Sequence, residues 1–251
     1  MSEHAEQATH HDPLSGTVEF TYDWYRDFLR RLSAEGYEFR SFDDRLGDGD
    51  VALRHDIDLS LDAAVSMARI EANAGVESTY CVLLTSPLYN PLEGEHREAL
   101  AEIASLGHDV IPHVSTHAYW SDGEIPDADA IERRVAEEQS VLETTVPIGE
   151  AVSFHRPPSW VLDREFDGFR NTYAPAFFSD IGYVADSNQR WREEPSFADD
   201  LPETLQLLTH PGLWGERDAG FSGRVERAIS EACSRAGRNT RGEFFEGGSA
   251  T

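Results

Sequence analysis

The sequence predicts a single α/β domain, a barrel of parallel strands with helices outside, and three observations predict it. Short apolar runs of strand length alternate with amphipathic stretches of helix length, as strand–helix units require. At 251 residues the chain has a size at which such barrels form one domain. Several of the strands also end in residues with chemical capacity, where barrel-like α/β enzymes build their sites.

Residues 1–16 carry His4, His10 and His11 but few apolar groups, and are expected to form a flexible leader. Tyr22, Tyr25, Phe28, Leu29 and Leu32 then recur at helical spacing before Gly36; this aromatic stripe is core packing, and the glycine stops the helix. A strand over 37–42 and a Gly/Asp-rich turn over 43–50 lead to a second strand, from Val51 into Arg54-His55-Asp56-Ile57-Asp58. A helix over 62–74 is closed by Gly75, and a strand over 79–84 follows. Next come a helix over 95–106, a strand over 109–111 and a helix over 127–142. Strands over 151–154, 182–185 and 205–208 precede a final amphipathic helix over 224–236. No internal repeat or linker divides residues 17–236, which are expected to fold as one unit, with 237–251 as a flexible tail.

The chemistry lies at the strand ends. His113 and His117 are spaced so that, on one helical turn, both imidazoles reach one ion. A carboxylate from elsewhere makes three protein ligands and leaves a fourth position for water, the arrangement of a catalytic zinc site. Asp56 and Asp58, His155-Arg156-Pro157-Pro158, Asp186 and His210-Pro211 end the other strands. Asp56 and Asp58 also fit a helix cap before Ser60, although a cap needs only one carboxylate. His210 also fits a surface turn, and Arg156 a buried ion pair.

With these residues in this order, the chain from about Val51 to Pro211 resembles the polysaccharide deacetylase superfamily, the NodB-homology metal-dependent hydrolases, whose fold is a distorted (β/α) barrel. The resemblance implies Asp56 as general base and Asp58 as metal ligand, with exchange of the two roles left open. Ile57 stands between carboxylates that adjoin in the family, and on a strand this turns both toward one face. His113 and His117 match the His-x-x-x-His motif and complete the implied ligand set. Arg156-Pro157-Pro158 matches the Arg-x-Pro motif, with Ser159 where the family has an aromatic residue. Arg156 is thereby implied to orient the catalytic carboxylate, and the Ser159 backbone N–H to help hold the oxyanion. Asp186 and Trp191 stand for the Asp-with-Trp motif, and Leu208-Thr209-His210 for Leu-x-His, which makes His210 the implied general acid. Arg54 and His55 have no family role, and His108 and His155 are expected to pack or support rather than ligate.

The implied cofactor is a divalent metal, Zn2+ first, with Mn2+, Co2+ or Ni2+ also compatible with two imidazoles and a carboxylate. The implied activity is removal of an acetyl group from an N-acetylated sugar of a glycan or of a nucleotide- or lipid-linked glycan precursor. Tyr89, Tyr119, Trp120 and Trp160 follow the motif strands and are candidates to stack on sugar rings. Two alternatives stand beside this: hydrolysis of a small non-peptide amide on the same fold, and a non-catalytic glycan-binding module that keeps the metal.

Composition bounds the setting. Net charge is −26, from 47 acidic and 21 basic side chains, and every one of the latter is Arg; such a field repels nucleic acid. No apolar stretch reaches the roughly 18 residues of a membrane span, and the first residues lack a signal peptide's pattern, so a cytoplasmic location is expected. Cys81 lies in an apolar run and is expected to be a buried, inert thiol. Oligomeric state is not fixed by these features. The acidic excess is spread along the chain, which fits a high-salt cytoplasm where self-repulsion is screened. The expected consequence is unfolding at low salt and refolding in molar salt, measured by circular dichroism; full helical signal in dilute buffer contradicts it.

Overall fold

The computed structural model describes residues 17–194 and 201–246. Its strands are β1 (Glu38–Arg40), β2 (Asp50–Ile57), β3 (Thr79–Val82), β4 (Asp109–Val114), β5 (Ala151–Phe154), β6 (Arg170–Asn171), β7 (Gly182–Ala185) and β8 (Leu205–Thr209). The longer helices are α1 (Tyr22–Ala34), α2 (Leu61–Ala74), α3 (Gly94–Ser105), α4 (Ala128–Leu142) and α5 (Phe221–Arg241). All strand pairings are parallel, in the order β6-β5-β4-β3-β2-β8-β7, and β1 pairs with β2 off this path. β2 is the hub: β1 takes one edge over Asp50–Ala52, β3 takes it over Arg54–Ile57, and β8 takes the other edge.

Local chemistry sets the element ends. The Thr21 side chain accepts from the Trp24 N–H at the start of α1, and the Ser60 side chain accepts from Ala63 N–H at the start of α2. Ser60, not Asp56 or Asp58, is therefore the α2 cap, which frees both carboxylates. Gly75, at φ 71°, closes α2 in the left-handed conformation that glycine adopts without strain.

Three elements differ from the sequence expectation. β4 runs on to Val114, because Pro112, which reads as a strand breaker, falls where the pairing of β4 passes from β3 to β5. β6, with two residues, is too short to leave a periodic signal. α5 continues to Arg241 and a further turn spans Gly242–Glu246, so helical structure passes the boundary expected at 236. The leader 1–16 and residues 247–251 lie outside the described residues.

The alternation of β2 divides two environments. Val51 and Leu53 face outward into a core with Phe28, Leu32 and the aromatic residues of α1, while Ile57 packs with Leu61 of α2. On the inner face Ala52 meets Cys81, Ile111, Ala151 and Phe177. Apolar side chains thus fill this end of the barrel interior, and burial raises the Cys81 thiol well above its ordinary pKa, as suits an inert group. Among the described residues β6 and β7 do not pair with each other. Tyr173, Phe178 and Tyr183 fill that seam with rings 5.0–6.3 Å apart, and Gln206 on β8 donates across it to the Thr172 and Phe177 carbonyls. No helix among the described residues is long and apolar enough to cross a membrane.

Candidate metal centre

The other end of the barrel interior is organised by Arg54, buried completely on the inner face of β2. Its Nε and Nη2 donate to the two oxygens of Asp56, both at 2.9 Å. Nη2 also donates to the Tyr173 hydroxyl at 2.6 Å, while Nη1 donates to Thr172 Oγ1 at 3.0 Å and Gln206 Oε1 at 2.9 Å. Every N–H of the guanidinium is thereby used. Two residues apart on a strand, Arg54 and Asp56 share a face, which is why a bidentate pair forms within one element. Burial alone raises the Asp56 pKa, but the Arg54 charge outweighs it and lowers the value to about 2.

Beyond Asp56 the chain turns, Asp58 N–H bonding to the Asp56 carbonyl at 3.0 Å, and Asp58 meets two imidazoles. His155 Nδ1 lies 3.1 Å and His113 Nε2 3.5 Å from Asp58 Oδ1. Asp58, His113 and His155 each present a ligand atom within 4.8 Å of the others. Asp58 Oδ1 and His113 Nε2 are both buried without a hydrogen-bond partner, so these close approaches lack bonding alignment. The His113 ring is fixed from behind, its Nδ1 2.8 Å from Ser153 Oγ, a support typical of ligating histidines. Burial works to raise the Asp58 pKa, yet His113 and His155 hold it well below the usual carboxylate range. Converging ligand atoms of one carboxylate and two imidazoles, two of them buried without partners, fit a divalent cation of the zinc type.

His210, after β8, lies on the other side of Asp58, with Nε2 3.9 Å from Asp58 Oδ2. Its Nδ1 is 2.6 Å from Asp186 Oδ1, and Asp186 Oδ2 accepts from the His210 and Trp214 N–H groups. Asp186 is fully buried behind the imidazole and does not line the cavity. Burial lowers the His210 pKa, but Asp186 outweighs it and raises the value to about 9.

Other sequence-predicted residues are placed elsewhere. His117 is not in the cluster: β4 holds His113 in a strand, and His117 follows in a short 3-10 turn, Thr116–Ala118. One helical turn therefore never carries both rings. His117 is exposed and its Nε2 donates to the Arg156 carbonyl at 3.1 Å; His155, expected to support, stands in the cluster instead. Arg156 is exposed at the cavity rim in a left-handed conformation, φ 47°, and the guanidinium paired with Asp56 is that of Arg54. Ser159 is exposed and does not line the cavity. Trp191 is buried among Phe20, Trp24, Phe28 and Trp214, so the tryptophan at Asp186 is Trp214. Tyr89 is buried, its hydroxyl donating to the Ile57 carbonyl, which removes it from the sugar-stacking candidates. Trp120 and Trp160 stay partly exposed, rings 6.3 Å apart. Only the alternation of Arg54 with Asp56, two residues apart, carried a sequence signal for the arginine; the signal for His155 was its position at the end of β5.

Asp56, Asp58, His113, His155 and His210 share a cavity of about 440 Å³. His55, on the outer face of β2, faces away from it. Its Nε2 is 2.8 Å from Glu71 Oε1, and Glu71 also accepts from Tyr25, Ser78 and Tyr80.

No known protein-family profile matches the chain, and no curated protein matches it. Among solved structures it is similar to a mutant of a CE4 family pseudoenzyme with restored enzymatic activity, at 14% identity and TM-score 0.42, over 74% of this chain and 63% of that one. The unmutated CE4 family pseudoenzyme from Bacillus anthracis is 12% identical with TM-score 0.43, over 74% and 60%. A family 4 carbohydrate esterase from Bacillus anthracis is 10% identical with TM-score 0.40, over 88% and 90%. The chain thus spans less than two thirds of the first two.

The two arginines separate in a stability measurement. Arg54→Met leaves Asp56 buried and unpaired and is expected to cost about 3–5 kcal/mol. Arg54→Lys is expected to recover only part of this, since an ammonium does not reproduce the fork. Arg156→Ala is expected to change stability by about 0.5 kcal/mol or less. Denaturant titration checks all three, and equal effects at both positions contradict the assignment.

Proposed function

We propose that the chain is a metal-dependent hydrolase of deacetylase type, cleaving the amide of an N-acylated sugar, in the first instance the acetyl group of an N-acetylated sugar of a glycan or glycan precursor. The observation that carries this reading is the convergence of Asp58, His113 and His155, two of whose buried ligand atoms lack partners, between Asp56 and His210. The order of motifs along the sequence supports the same reading. Asp58, His113 and His155 are the proposed ligands, His155 taking the part that the family resemblance implied for His117. A divalent cation held there supplies Lewis-acid polarisation of a carbonyl oxygen and a more acidic water.

The chain's own groups do the rest. Asp56, kept ionised and oriented by Arg54, accepts a proton from water as it attacks the amide carbonyl. Asp186 holds His210 protonated, so that Nε2–H donates to the leaving nitrogen. Water is consumed, the C–N bond breaks, and the products are a carboxylate and a free amine. Arg156 is proposed at the mouth of the cavity as a contact to the sugar, and Ser159 and Trp191 are left without a part in the chemistry.

Release of free amine from N-acetylated sugars by zinc-loaded protein tests this. Asp56→Asn and His210→Gln are each expected to lower turnover by about 100-fold or more, the usual contribution of a positioned acid or base. Wild-type turnover in both variants, or no hydrolysis of any N-acylated sugar by metal-loaded protein, overturns the reading.

A further inference from the structure

The cavity over the cluster has a second wall to which the proposed chemistry gives no task. Leu59, Leu162, Phe178, Leu213, Phe221 and Val225 line it, drawn from the segments after β2, β5, β6 and β8 and from the start of α5. Phe221 and Val225, four residues apart, share one face of α5, and Phe221 remains 40% exposed. Leu59 is held in place by a close approach: a Cβ on Gly212 would lie 2.5 Å from Leu59 Cβ. Only glycine at 212 lets the turn after β8 close on that leucine. These apolar side chains line the same cavity as the candidate catalytic groups.

An acetyl group does not account for this wall. Its single methyl can touch only part of a lining of six apolar side chains. A sugar hydroxyl placed against leucine and phenylalanine loses hydrogen bonds to water without replacement. A phosphate-rich carrier is equally unsuited, since Arg156 is the one arginine lining the cavity and the chain has no lysine. We infer that the wall holds the hydrocarbon of an acyl chain longer than acetyl, and that the substrate class is a medium-chain N-acylated amine. This rests on the amide-hydrolase reading: the scissile carbonyl sits at the cluster, the chain lies against Phe221 and Val225, and hydrolysis releases a medium-chain carboxylate and a free amine.

The test compares N-acetylglucosamine with N-hexanoylglucosamine on the zinc-loaded full chain, by calorimetric binding and by amine release. At about 0.8 kcal/mol for each buried methylene, the four extra methylenes are expected to tighten binding on the order of 100-fold. Phe221→Ser and Val225→Ser, at incompletely buried positions on α5, are each expected to cut the hexanoyl-to-acetyl binding ratio several-fold, with folding checked by circular dichroism. Equal or weaker binding of the hexanoyl compound, or a ratio unchanged in both variants, overturns the inference even if N-acetylglucosamine is hydrolysed. Tight hexanoyl binding that both variants weaken, without turnover of either compound, upholds the wall's role while removing the hydrolase reading.

Discussion

A guanidinium buried inside a barrel is the constraint on which the rest of this structure depends. Arg54 cannot be left in that interior with an unused N–H, because an unpaired buried charge costs several kcal/mol. Its partners come from three places: Asp56 on its own strand, Gln206 on β8, and Thr172 and Tyr173 after β6. The arginine therefore ties the hub strand to both sides of the seam between β6 and β7, where backbone pairing is lacking among the described residues. Satisfying it fixes the barrel's closure and, in the same bonds, the orientation of Asp56.

The layers above and below follow from that plug. Below it, Ala52, Cys81 and Ala151 with Phe42 and Phe177 make an apolar end that asks for no polar partner. Above it, the strand ends bring Asp58, His113 and His155 together and leave lone pairs facing one another. The same logic orders His210, whose Nδ1 is held by the buried Asp186 just after β7. Structure and candidate chemistry are thus continuous: a group needed for closure also holds the group proposed to take the proton.

The sequence made most of the frame legible because its periods are clean. The stripe from Tyr22 to Leu32, Gly75 and the β5 and β7 runs all express local rules that tertiary packing did not override. The site was legible in part. Strand alternation places Asp56 and Asp58 on one face, and Asp58 and His113 do share the cluster. The choice between His117 and His155 was not legible, because it turns on whether the chain after His113 is helix or strand. Pro112 made that region read as a strand edge opening into a helix start, whereas β4 continues through it by changing partner. Arg54 was passed over for Arg156 because the motif resemblance pointed to the loop after β5. The fork that pairs with Asp56 lay two residues before it, visible only when the strand's inner face is considered as a set. Trp214 likewise replaces Trp191 at Asp186 because the turn after β8, distant in sequence, folds back onto β7.

The most direct test of this account is metal content, by elemental mass spectrometry, of protein purified in high salt with zinc available, for the unaltered chain, His155→Ala and His117→Ala. The account predicts near-stoichiometric zinc in the unaltered chain and in His117→Ala, with loss in His155→Ala. Zinc retained in His155→Ala but lost in His117→Ala, or absent from the unaltered chain, contradicts it.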